Sequence, residues 1–169
     1  MDVEDLMCQM SLGMSYPTKL FPIVMPQLES LNLRVQRHEL NSFDLSCLKN
    51  LRLLRVCPVP DNQSRTFENV PDQVAQILAQ LANSRLRTLQ LYIGQNGWLL
   101  LPSRARQWQA MDSLLSSGAC RELETVEILY NGPIDGARHT ICEPMLYLPY
   151  AHARGISLSL RQDHSTPDG

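Results

Sequence analysis

The feature that most constrains this chain is a short apolar frame that returns along its length. Leu28-Glu29-Ser30-Leu31-Asn32-Leu33 carries apolar residues at its first, fourth and sixth positions. The frame recurs as Leu51-Arg52-Leu53-Leu54-Arg55-Val56, as Leu86-Arg87-Thr88-Leu89-Gln90-Leu91 and as Leu123-Glu124-Thr125-Val126-Glu127-Ile128. A weaker copy is Ala153-Arg154-Gly155-Ile156-Ser157-Leu158. The starts at 28, 51, 86, 123 and 153 are 23, 35, 37 and 30 residues apart. The last two apolar positions alternate with polar ones, so they share one face of a short strand. The first lies at the turn into that strand and covers the same core. One such unit cannot bury its apolar side alone; stacked copies pair their strands in parallel and share a continuous core. The expected fold is α/β: a short curved array of about five parallel strands in chain order, with helices on the convex side. The alternative is an ordinary α/β domain with five parallel strands.

The intervening segments read as helical returns, which parallel strands require. Val70-Pro71-Asp72 has the form of a helix start, and Val74, Ile77, Leu78 and Leu81 then fall on one helix face. Residues 103 to 117 place Trp108, Met111, Leu114 and Leu115 together in the same way, with Ser103 as the expected N-cap and Gly118 as the stop. The last crossover, 142 to 152, offers Met145, Leu146, Leu148 and Tyr150 as its apolar side, with Pro144 in its first turn and Pro149 breaking its end. The shortest spacing leaves room for a turn or two around Phe43, Leu45 and Leu48. The whole reads as a single repeat domain over 1–161, with a cap-like segment at 1–25 and a polar, flexible tail at 162–169.

Composition narrows the function classes. The net charge of -2 lacks the basic excess that nucleic-acid or anionic-membrane binding needs. No apolar run reaches the roughly 18 to 20 residues of a spanning helix. The opening Met1-Asp2-Val3-Glu4-Asp5 is acidic where a signal peptide is basic. Five cysteines without a CxxC pair fit reduced thiols and an intracellular setting, cytoplasmic or nuclear. Asn62-Gln63-Ser64 is a sequon by chance in that reading.

A search for reaction chemistry finds no HExxH, GxSxG, GxxxxGK or GxGxxG pattern. His38, His139, His152 and His164 lack partners at metal-ligand spacing, and His139 with Cys142 reads as an incidental pair. No cofactor is expected. His152 is expected to pack or hydrogen-bond at a helix-to-strand corner, and Trp98-Leu99-Leu100-Leu101 to plug the core. Arg85, Arg87, Arg104, Arg106 and Arg121 face neighbouring Glu122, Glu124 and Glu127, which reads as a mutually screened surface.

Four runs carry a family resemblance. They are Pro26-Gln27-Leu28-Glu29-Ser30-Leu31-Asn32-Leu33, the frame at 86 to 91, Trp108-Gln109-Ala110-Met111-Asp112-Ser113-Leu114-Leu115 ahead of the frame at 123, and the ending Leu148-Pro149-Tyr150-Ala151-His152-Ala153-Arg154-Gly155-Ile156. In this order, over about residues 26 to 160, the chain resembles the leucine-rich-repeat-like C-terminal region of fungal, mainly basidiomycete, F-box proteins. The resemblance implies a leucine-rich-repeat-like solenoid that holds the substrate of a ubiquitin ligase. In that family the F-box docks to the adaptor Skp1. No F-box opening is visible in residues 1 to 25, so docking to Skp1 would rest on an F-box upstream of this chain.

Stacked in register, the strands build two outward columns. One reads Asn32, Arg55, Gln90, Glu127, Ser157; the other reads Arg34, Cys57, Tyr92, Leu129, Ser159. With strands about 4.8 Å apart the face spans roughly 20 Å, which suits a peptide or the edge of a small protein. The expected role is a non-enzymatic interaction module that binds a protein partner through Asn32, Arg34, Arg55, Gln90, Tyr92, Glu127 and Leu129, with Tyr92 and Leu129 as exposed anchors. The alternative from another class is a small α/β enzyme or ligand-binding domain with its site at the carboxyl ends of the strands. Its loops would be 58–66, 94–98 and 131–138, and its polar groups Arg65, Asp135 and His139.

Overall fold

The computed structural model describes residues 9–11, 25–35, 45–58, 70–94, 102–118, 120–130 and 143–162. They form an α/β fold on one six-stranded sheet. Its strands are β1 (Gln9–Ser11), β2 (Ser30–Val35), β3 (Leu53–Pro58), β4 (Thr88–Gly94), β5 (Thr125–Tyr130) and β6 (Ser157–Gln162). Every pairing is parallel, and the order across the sheet is the order in the chain. The five expected strands are β2 to β6. The additional β1 lies within the cap-like segment 1–25, and pairs Met10 with Leu33.

The frame works as its spacing demands. Its fourth and sixth positions meet across the sheet as Leu31, Leu54, Leu89 and Val126 and as Leu33, Val56, Leu91 and Ile128. All are buried. The first-position residues Leu51, Leu86 and Leu123 are buried beneath them, and Leu28 is half-buried. The backbone repeats as well. The Glu29 carbonyl accepts the N–H groups of Arg52 and Leu53, the Arg52 carbonyl those of Arg87 and Thr88, and the Arg87 carbonyl those of Glu124 and Thr125. One carbonyl per frame thus satisfies two donors at the start of β3, β4 and β5.

Three helices lie over the same core. α1 (Val70–Gln80) buries Val70, Pro71, Val74, Ile77 and Leu78, with Leu81 just beyond its end. Gln80 turns its Oε1 back to accept the N–H of Leu45 at 3.0 Å, tying α1 to the turn that follows β2. α2 (Gln109–Ser116) follows a 3-10 turn over Pro102–Trp108. That turn replaces the start expected at Ser103: the α-helical N-cap is Trp108, whose ring is buried against Tyr147 with centroids 5.8 Å apart. α3 (Pro149–Ala153) is the shortest, and α1 packs on α2 and α2 on α3.

The joint between α2 and α3 is made by two charged side chains, neither of them singled out by spacing. Asp112 of α2 is 2% exposed, and its carboxylate accepts the N–H of Tyr150 at 3.1 Å and of Ala151 at 2.9 Å. It thereby caps the first turn of α3, whose own N-cap residue, Leu148, gives no side-chain bond. In the other direction, the Arg154 guanidinium donates to the carbonyls of Leu115, Cys120 and Arg121 at the end of α2 and in the turn beyond. A cation is favoured there because the free carbonyls at a helix end carry partial negative charge.

The last crossover departs from expectation. Met145, Leu146 and Tyr150 are exposed, and the buried residues are Tyr147, Leu148 and Ala151. Pro144 opens a 3-10 turn and Pro149 opens α3, so one helical face is never presented. His152 is exposed as well. Arg154, Gly155 and Ile156 end α3. The N–H of Gly155 reaches the His152 carbonyl, and that of Ile156 reaches the Ala151 carbonyl. Gly155 has φ +92° with open space where a Cβ would sit. Gly155→Ala is therefore a conformational cost alone, expected at about 1 to 2 kcal/mol by denaturant unfolding.

Gly155 also explains a slip in the weakest frame. Leu158 pairs with Val126 and Leu160 with Ile128, so the fifth frame starts at Gly155 and not at Ala153. The shift is by two residues, which preserves the faces and changes only the register.

Candidate functional site

The helices and the core occupy one side of the sheet. On the other side the columns are Asn32, Arg55, Gln90, Glu127 and Ser159 in one register, with Leu129 between Tyr92 and Arg161 in the next. Arg34 pairs with Cys57 in that second column. Four of the five strands are aligned as expected. The slip in the fifth moves Ser157 beside Thr125, brings Ser159 beside Glu127 and introduces Arg161, which spacing alone missed. The helix stop at Arg154-Gly155 is the signal that would have found it, since a strand cannot begin before that turn ends.

The face is organised by contacts between neighbouring strands. The Arg55 guanidinium lies 5.8 Å from the centre of the Tyr92 ring, a cation–π arrangement. Gln90 donates from Nε2 to Oε2 of Glu127 at 2.8 Å. The Cys57 thiol donates to Oδ1 of Asn32 at 3.6 Å. Asn32, Arg55, Cys57, Gln90, Tyr92 and Glu127 are all half-buried. Leu129 departs from expectation: it is 5% exposed, although it lies outside the main core cluster. Its register neighbours, Tyr92 on one side and Arg161 on the other, flank it as they cannot flank a residue on an edge strand. The accessible anchor is therefore Tyr92, with Leu129 as the apolar floor beside it. Among the described residues the charged side chains of this face include Arg55, Arg161 and Glu127, and Glu127 is bonded to Gln90.

Ion pairs at the strand entrances are exposed. Arg52 lies 3.9 Å from Glu29 and Arg87 lies 4.0 Å from Glu122. Each contributes at most about 1 kcal/mol. The described thiols, Cys47, Cys57 and Cys120, are free of disulfides. Burial pushes the Cys120 thiol above its ordinary pKa, and the nearby Arg154 charge opposes that only in part. A raised folded-state value means that the folded chain holds this proton longer than the unfolded chain. Its stability contribution is complete below the ordinary thiol pKa and is lost as the pH rises through the folded value. Cys120 is thus expected to react with a thiol reagent more slowly than Cys47 or Cys57. Cys120→Ala is expected to shrink the alkaline loss of stability, measured by urea unfolding.

Arg65, Asp135 and His139, with most of the carboxyl-end loops that would hold them, lie outside the described residues. So do Cys142 and the run Trp98 to Leu101. A groove of about 450 Å3 lies elsewhere, at the amino end of β6, between Glu143, Met145, His152, Ile156 and Leu158. Among the described residues no three His, Cys, Asp or Glu side chains converge to hold a metal, and no helix is long and apolar enough to cross a membrane.

No protein-family model matches the chain, and neither does any curated protein or solved structure. The strand face therefore carries the functional reading on its own geometry.

Proposed function

We propose that the chain is a non-enzymatic, leucine-rich-repeat-like interaction module that binds an extended acidic segment of a protein partner across its strand face. The observation that carries this reading is the Arg55–Tyr92 pair set beside the Gln90–Glu127 bond on the side of the sheet opposite the helices. An aromatic ring with an apolar floor and a held guanidinium provides an apolar anchor and a site for a carboxylate within neighbouring strands. The segment would lie across about four strands, or roughly 15 Å.

The test is selection of displayed peptides on the wild-type protein, with counter-selection on the Arg55→Glu and Tyr92→Ala variants. Recovered peptides should carry Asp or Glu next to an apolar residue, and should bind either variant at least about tenfold more weakly, a loss of about 1.4 kcal/mol. Peptides that bind both variants as well as wild type would place the site elsewhere.

The resemblance to F-box proteins adds a role for the bound segment, as the substrate of a ubiquitin ligase. It is supported by the order of the four sequence runs and tested by asking whether the chain retains Skp1. Retention supports the ligase role. The intracellular setting, cytoplasmic or nuclear, is supported by the three described cysteines, none of them in a disulfide. Thiol titration of the denatured, unreduced chain should count all five cysteines. Two or four protected thiols would contradict that setting.

A further inference from the structure

The frame positions that face the core are buried in every interior strand: Leu54 and Leu89 at 0%, Val56 and Val126 at 1%. In β6 the equivalent Leu158 and Leu160 are only half-buried. The described large apolar residues that are exposed, Met145, Leu146 and Tyr150, all belong to the crossover that leads into β6. The groove at the amino end of β6 includes Met145 and Leu158. Among the described residues, no strand pairs with the outer edge of β6. The strand reads Ser-Leu-Ser-Leu-Arg-Gln, without Lys or Pro, and its one charge, Arg161, shares the side of Leu129 and not that of Leu158 and Leu160.

We infer that β6 pairs with β6 of a second copy of this chain, antiparallel and centred on Ser159, so that two sheets become one. Backbone direction selects this register. The Ser157 N–H donates to the Glu124 carbonyl of the neighbouring strand. By the alternation of a parallel ladder, residues 157, 159 and 161 bond toward β5, and Leu158 and Leu160 direct their N–H and C=O groups away from it. An antiparallel partner must oppose outward groups with outward groups. Leu158 could then meet Leu158, Leu160 could meet Leu160, or Leu158 could meet Leu160. Only the last sets both leucines of each copy against leucines on the core side. It also puts Ser159 opposite Ser159, and Ser157 opposite Arg161. The two Arg161 residues then stand about 14 Å apart, beyond the screening length of about 8 Å, so like charges do not oppose the pairing. The competing use of this edge, joining β6 to β1 of the next copy, pairs it with the three described residues of β1 and produces an open polymer.

The test is a cysteine placed on the two-fold axis. In the inferred register Ser159 is a non-hydrogen-bonded pair with Cα atoms about 4.5 Å apart, within disulfide reach, whereas two residues at 157 are about 14 Å apart. Oxidised Ser159→Cys should give a covalent dimer on a non-reducing gel, and Ser157→Cys should give no more than wild type. Wild-type protein should sediment as a dimer. Leu160→Pro, which removes an outward donor and no bond to β5, should raise the dissociation constant at least about tenfold. The inference is overturned if wild type sediments as a monomer throughout. It is equally overturned if wild type is a dimer but Ser159→Cys cross-links no better than Ser157→Cys, which would put the interface elsewhere.

Discussion

Leu91→Ala is expected to destabilise the protein by about 2 to 5 kcal/mol, and Tyr92→Ala, one residue away, by about 1 kcal/mol or less. Leu91 is fully buried in the core, between Val56 and Ile128 in the ladder. Removing its side chain leaves a cavity that flanking strands on both sides prevent from collapsing. Tyr92 is half-buried on the opposite face and loses chiefly its contact with Arg55. Leu129→Ala belongs with the costly substitutions, since Leu129 is buried although it faces the strand side. Urea unfolding of the three variants checks the assignment of faces. A large loss at Tyr92 with little at Leu91 would mean a one-residue slip that exchanges every side chain of β4.

Asp112→Ala is expected to cost about 2 to 3 kcal/mol, an unusually large effect for removing one acidic side chain. The carboxylate is buried and accepts two N–H groups from the first turn of α3. Alanine would strip the cap from α3 and strand the buried Ala151 donor, while the part-buried Tyr150 donor loses its partner nearer the surface. Asp112→Asn keeps an acceptor but turns an amide donor toward a backbone donor, so it should recover only part of the loss. Amide hydrogen exchange gives the sharper signature. Tyr150 and Ala151 should lose protection in Asp112→Ala, while Leu89 and Leu91 in the central strand keep theirs until global unfolding. Uniform loss of protection would contradict a local capping role.

The parts of this fold legible in the sequence are those governed by strict periodicity. Alternation at Leu54 and Val56, Leu89 and Leu91, or Val126 and Ile128 leaves one burial pattern open, and the strands follow it. Helix α1 was equally legible, because Val74, Ile77, Leu78 and Leu81 mark a single stripe. Where two prolines divide a short segment, as Pro144 and Pro149 do, helical periodicity has no length in which to act. The buried side of that crossover became Tyr147, Leu148 and Ala151. Tertiary capping is invisible to local patterns: Asp112 and Tyr150 are 38 residues apart, and only the packing of α2 on α3 makes them partners. On the strand face the columns were readable through β5. Leu129 was not readable as buried, because alternation assigns a face but does not say what the neighbouring strands lay over it.

The most direct test of the strand face as the binding surface is chemical-shift mapping of a selected acidic peptide on isotope-labelled protein. The expected result is perturbation of the Arg55, Gln90, Tyr92 and Glu127 side chains, with the loops at 58–66, 94–98 and 131–138 unaffected. Perturbation confined to those carboxyl-end loops, with Arg55 and Tyr92 unmoved, would contradict binding across the strand face and favour a site of the enzyme type.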